Sequence, residues 1–218
     1  MSDDSKVIEN VAERLRFFFS DANIRGDKFM RKELEEKDGF VSIEVLLRFN
    51  SIKKHTTDAK VVAQAAKHES VSDRVKLNED ESAVGRLVPF DKEKMMDNVK
   101  LSLRVENLPV TEPKEEGGEK KYAVTVDDLI KLFSDYGTVA LVKLQRYRPD
   151  WKSKDVAKHG RQNSVPTGAA FVEFETEEEQ KKAVADLCGD EEKEPEKTLE
   201  FGGNKLKVQT MRKWIDNK

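Results

Sequence analysis

Rings that stack, carboxylates that accept from hydroxyls and cations that hold phosphates are grouped in two stretches of this 218-residue chain. The first holds Arg14, the run Phe17-Phe18-Phe19, then Asp27, Phe29 and Phe49. Ile8, Val11, Ala12, Leu15, Phe18 and Phe19 form one stripe of an amphipathic helix over Val7 to Phe19. At about 100° per residue, Phe17 lies nearly opposite the centre of that stripe and Phe18 at its edge. A large ring on a solvated face is costly without a partner, so Phe17 is the residue with the weakest purely structural explanation. On spacing alone Asp27 reads as the N-cap of the helix after it, and Phe29 and Phe49 read as core. The second stretch, Arg146 to Arg161, carries six Lys and Arg, Arg146 and Arg148 among them, against Asp150 and Asp155, with Tyr147 and Trp151 interleaved. Cations that release counterions beside rings suit a single-stranded nucleic acid. A solvated loop is the bland alternative.

Composition removes other chemistries. Lone Cys188 and three scattered His lack the clustered spacing of a zinc site, and no cofactor is expected. No nucleophile elbow, P-loop or dinucleotide fingerprint occurs, so the chain does not read as an enzyme, nor as a binder of a small-molecule substrate. No apolar run approaches the ~20 residues of a membrane span. The start, Met1 to Lys6, is acidic with no apolar segment behind it, which implies an intracellular, reducing compartment. Net charge is -3 from 40 Lys and Arg against 43 Asp and Glu, but its distribution is uneven. Gly189 to Glu200 is locally acidic, and phosphate should avoid it.

These residues need elements to position them, and the patterns predict an α+β chain of two domains. Residues 1–88 read as helices near Val7–Phe19, Asp27–Leu34, Ile43–Phe49 and Thr57–Lys67, with Ser42 an N-cap, closed by a hairpin wing around Asn78 to Glu81. Residues 89–100 are polar and read as a linker. Residues 101–218 alternate strand and helix as βαββαβ, with capping boxes at Thr125 and Thr176 and a helix begun at the end. That order is the ferredoxin-like split βαβ, with two helices on one sheet face and the other face free.

The third strand of this sheet, Gly168-Ala-Ala-Phe-Val-Glu-Phe174, resembles an RNA-recognition motif at Gly168, Ala170, Phe171, Val172 and Phe174. Arg104 and Ala169 stand where that family usually has stacking aromatics, leaving Phe171 the one aromatic of that face. A protein-only interaction module is the alternative that Arg104 and Ala169 favour. Upstream, the blocks Phe17-Phe-Phe-Ser-Asp-Ala-Asn-Ile24, Asp27-Lys-Phe-Met30, Asp38-Gly-Phe-Val41, Leu46-Leu-Arg-Phe-Asn50 and Lys53-Lys-His-Thr-Thr-Asp58 resemble, in order, a La motif, the winged-helix domain of La and the La-related proteins.

The resemblance implies a monomeric nuclear RNA chaperone that holds the 3′-terminal uridylates of RNA polymerase III transcripts in a cleft between the two domains, protecting the ends of tRNA precursors and other small RNAs. By the same resemblance Asp27 would accept from the 2′ and 3′ hydroxyls of a free RNA end. Phe29 and Phe49 would stack on terminal bases, and Phe17 and Phe18 stand where the family usually has two tyrosines. Arg14 stands where it usually has a Gln that reads a uracil edge; arginine has no acceptor to offer. Val142 falls on the strand edge that La proteins use in place of the sheet face. Arg14, the two Tyr-to-Phe changes and the insertions at Glu112–Tyr122 and Arg146–Pro166 favour a second possibility, a divergent La-related protein bound to one structured noncoding RNA or mRNA stem-loop. His55 and His68 carry no assigned role.

Overall fold

Helix α1 (Asp3–Phe18) buries Val11, Ala12 and Leu15 as its stripe requires. Ser20 then caps α2 (Asp21–Gly26), a helix the spacing did not reveal, by accepting from Asn23 N at 3.1 Å. Helix α3 (Lys28–Glu36) follows after the single extended residue Asp27. The computed structural model describes residues 3–112, 119–147, 164–189 and 194–218.

Strand β1 (Phe40–Ser42) leads into α4 (Ile43–Leu46), capped by the expected Ser42, and a second short helix, α5 (Asn50–Lys53), begins directly behind Phe49. The sequence pattern predicts one helix from Ile43 to Phe49 and misses α5; residues 47–49 form a corner instead of continuing the helix. Helix α6 (Ala59–Ala66) is capped by Asp58. Strands β2 (Val75–Leu77) and β3 (Ala83–Arg86) form the wing, and β1 joins it to give a three-stranded antiparallel sheet of order β1-β3-β2. Val41, Val75 and Val84 turn one sheet face into the core with Leu15, Phe19, Met30, Leu46, Ile52 and Val62. Full burial of each such side chain contributes roughly 1.5–3 kcal/mol.

The polar stretch 89–100 contains a 3-10 helix, Lys92–Met96, and α7 (Asn98–Leu101). The chain divides into two compact units there, Met1–Met96 and Asp97–Lys218. In the second unit the elements are β4 (Ser102–Glu106), the small pair β5 (Val110–Thr111) and β6 (Lys121–Tyr122), α8 (Val126–Phe133), β7 (Val139–Tyr147), β8 (Val165–Phe174) and α9 (Glu177–Leu187). The pair β9 (Glu200–Phe201) and β10 (Asn204–Lys205), then β11 (Lys207–Thr210) and α10 (Met211–Asp216), complete it. Four strands pair antiparallel in the order β11-β4-β8-β7, which is the βαββαβ arrangement the sequence implies. Both capping boxes form, Thr125 with Asp128 and Thr176 with Glu179. Alternate residues Leu103, Val105, Ala170, Val172 and Phe174 bury the helix-facing side of the sheet against Leu129, Phe133 and Leu187.

One expectation is corrected here. The opposite sheet face is not free, because Trp214 of α10 lies on it. Its ring meets Phe171 edge to face at 5.2 Å, and the Arg104 guanidinium sits 4.6 Å from the Trp214 ring. The lone aromatic left on that face gains a partner from the same chain.

Candidate nucleic-acid interface

In the first unit the separated phenylalanines meet. Ring centroids run Phe17 to Phe18 at 5.8 Å, Phe18 to Phe49 at 4.8 Å and Phe49 to Phe29 at 5.9 Å, a continuous series within the range of favourable aromatic pairs. Phe17 is half-buried against Phe18 rather than fully solvated, whereas Phe29 is 48% exposed, a large fraction for a phenyl ring. Phe49 projects from the corner between α4 and α5, where its carbonyl accepts from Ile52 and Lys53. The corner that hid α5 from the periodicity is what aims this ring.

Asp27 closes the series at the N-terminus of α3. Its Oδ1 accepts from Phe29 N at 3.0 Å and from Met30 N at 3.1 Å. The cap reading is therefore correct, and it uses one oxygen. Oδ2 has no partner among the described residues, and the side chain is partly exposed. One carboxylate can fix the helix and still offer an acceptor beside Phe29. The α2–α3 corner that carries it is held from behind: Arg31 donates to the carbonyls of Ile24 at 2.5 Å and Arg25 at 2.8 Å, and Arg86 of β3 donates to Asp21 at 2.6 Å and to the Phe19 carbonyl.

Arg14, one turn before Phe17 and Phe18, is partly exposed, with its nearest carboxylate, Glu13, at 3.8 Å. Its Nε is buried without an acceptor. Arg14 also acts on His55, a residue without an assigned role in the sequence. Loss of solvation, then the charges of Lys54 and Arg14, hold the His55 pKa below its usual 6.5, against an opposing pull from Glu13. The His55 imidazole is thus neutral at pH 7 and offers both a donor and an acceptor, which Arg14 does not. The flanking Lys54 is visible in the sequence, whereas the influence of Arg14 spans 41 positions and is not.

The second unit brings fewer of its candidates into the open. Val142 is on β7, the terminal strand in the sheet order, with its side chain half-buried against the core. Arg146 is tied to the root of its loop, donating to Ser164 Oγ at 2.8 Å and to the Ser164 carbonyl at 2.6 Å. Phe171 packs on Trp214, and Arg104 is held by Glu106 at 2.7 Å. Arg148 lies outside the described residues, as does most of the basic loop; Tyr147 at its start is 58% exposed. No group of three or more His, Cys, Asp or Glu placed to hold a metal occurs among the described residues.

A winged helix with an aromatic series, followed by a βαββαβ sheet bearing an RNA-recognition signature, defines the class of two-domain RNA-binding modules. Comparison with known proteins gives the family. The La domain family model matches residues 11–68. La-related protein 7 of Xenopus tropicalis is 32% identical over 197 residues, 90% of this chain and 28% of that protein. La-related protein 6 of Homo sapiens is 29% identical over 181 residues, 79% of this chain and 36% of that protein. Among solved structures, the La autoantigen N-terminal domain is 33% identical, covering 42% of this chain and 97% of that one with a TM-score of 0.37. This chain belongs to the La and La-related protein family, as a La motif followed by an RNA-recognition motif. It spans about three tenths of the length of the La-related protein 7 relatives it matches.

Proposed function

We propose that this chain binds the free 3′ end of RNA, taking a terminal run of uridylates from RNA polymerase III transcripts such as tRNA precursors, and so shields the end while the RNA matures. The observation that carries this reading is the unpartnered Asp27 Oδ2 beside the half-exposed Phe29 ring. The terminal ribose donates its 2′ and 3′ hydroxyls to the carboxylate while the terminal bases stack on Phe29 and Phe49. Phe17 and Phe18 extend the stack, and Arg14 attracts the phosphates behind it. The protein acts as a monomer in the nucleus.

A second reading has a specific observation in its favour. Arg14 occupies the place of a base-reading amide and offers donors only, which loosens uracil selection and fits a divergent La-related protein dedicated to one structured RNA. Competition separates the two. A labelled oligouridylate is displaced equally by any RNA ending in UUU if the chain is a general end binder, and oligoadenylate with the same free hydroxyls competes at least tenfold less well. Displacement by oligoadenylate at the same concentration removes uridylate selection and favours the second reading.

A further inference from the structure

The three-stranded wing sheet has an outer face, and one row of it is unusual. Phe40 of β1, Gly85 of β3 and Lys76 of β2 pair side by side, and all three point away from the core, because Val41, Val84 and Val75 next to them point into it. Gly85 supplies no side chain, and Phe40 lies down over it: a Cβ at Gly85 would sit 2.7 Å from Phe40 Cδ1 and 2.9 Å from Cε1. The Lys76 ammonium reaches over the same ring at 5.6 Å from its centroid. The result is an aromatic ring seated on Gly85 with a cation reaching over it.

A pocket of about 230 Å3 opens beside it, and Phe40, Lys76 and Phe90 contribute to its lining. Leu34 and Leu87 add apolar surface; of the charged lining residues Arg86 is paired with Asp21 at 2.6 Å and Lys92 with Glu35 at 2.9 Å, which leaves Arg31 and Lys76 against Asp38, a positive balance of one. The volume falls below the ~300–1,000 Å3 of sites for drug-sized ligands, so it suits one ring system rather than an extended molecule. A ring to stack on, a cation over its rim and a positive surround are the parts of a single-nucleotide site.

We propose that the outer face of the wing is a second nucleotide site, which takes one unpaired nucleobase of the RNA body on Phe40 with its phosphate beside Lys76. This rests on the reading of the chain as an RNA 3′-end binder. Asp27 caps one end of α3, while Leu34 and Glu35 lie near the other, and seven to eight residues at 1.5 Å each place the pocket lining about 11 Å from Asp27 along that helix. RNA held at Asp27 therefore presents its own upstream nucleotides to the wing at high effective concentration, so a weak site suffices.

The test uses the full 218-residue chain, 15N-labelled, with amide shifts followed in three arms. An octauridylate with a free 3′ hydroxyl shifts amides at Asp27 and Phe29 and also at Phe40, Lys76 and Gly85. A 3′-phosphorylated octauridylate loses the first set and, without the tether at Asp27, produces the second only at higher RNA concentration. Inorganic tripolyphosphate moves neither ring row. Lys76→Glu, an exposed substitution, and Phe40→Leu each remove the wing shifts, and loss of stacking lowers octamer affinity by roughly five- to hundredfold, while tetrauridylate binding at Asp27 stays unchanged. Absence of wing shifts with an octamer that does bind at Asp27 overturns the proposal and leaves the end-binding reading standing. Wing shifts reproduced by tripolyphosphate alone overturn it too, since the site would then hold phosphate and no base. Failure of every RNA to shift Asp27 and Phe29 overturns the end-binding reading itself.

Discussion

Asp27 shows how one side chain can cap a helix and still keep an acceptor oxygen free. Oδ1 satisfies two amides at the start of α3 and Oδ2 remains available. Asn caps a helix as well as Asp, so Asp27→Asn should cost at most a few tenths of a kcal/mol in thermal unfolding. It should lower affinity for a 3′-hydroxyl end by at least tenfold, because a charged acceptor becomes a neutral one. His55 gives a second prediction at this scale. Its folded pKa lies below 6.5, so the unfolded chain binds the extra proton first as pH falls. The His55 contribution to stability is present above pH 6.5 and is lost as pH falls through the lowered folded value. Urea unfolding at pH 7.5 and 5.5 should show a steeper loss for the parent than for His55→Gln. Cys188 is quieter: burial pushes its thiol up to about 11, with Lys213 pulling weakly the other way, so it stays protonated and unreactive at neutral pH.

At the scale of elements, the corners that aim side chains depend on small contacts. Glu179 caps its own helix by accepting from Thr176 N at 3.0 Å and also accepts from Thr138 N at 2.8 Å, joining α9 to the turn before β7. A Cβ at Gly137 would lie 2.3 Å from Glu179 Cγ, which no rotamer adjustment at 137 relieves. Gly137→Ala should destabilise the second unit by about 1–3 kcal/mol through this overpacking and the lost cap, read as a lower denaturation midpoint. Capping boxes at Thr125 and Thr176, the long amphipathic α1 and the strand around Phe171 were all legible in the sequence, because each is written in neighbouring residues. Helix α2, the α4–α5 corner and the cover of Trp214 over Phe171 were not. Their causes are breaks of one residue at Asp27 and three residues at 47–49, and contacts between residues far apart in the chain. The same limit applies to the site: Asp27, Phe29 and Phe49 could be named through a family resemblance, while the influence of Arg14 on His55 and the Phe40–Gly85–Lys76 row exist only once the chain is folded.

For the whole molecule, a net charge of -3 coexists with local positive surfaces, and the two units have distributed the work unevenly. The first offers a ring series with a free acceptor; the second covers its remaining sheet aromatic with Trp214 and ties Arg146 to Ser164. In the proposed function, recognition of an RNA terminus therefore falls to Asp27 rather than to stacking across the sheet. The measurement that tests it most directly is fluorescence anisotropy with one oligouridylate prepared with a free 3′ hydroxyl and with a 3′ phosphate, at fixed salt near ~100 mM because phosphate contacts are salt-dependent, for the parent chain and Asp27→Asn. A preference of tenfold or more for the hydroxyl end in the parent, abolished in the variant, is the predicted result. Equal affinity for the two ends in the parent chain would contradict the account.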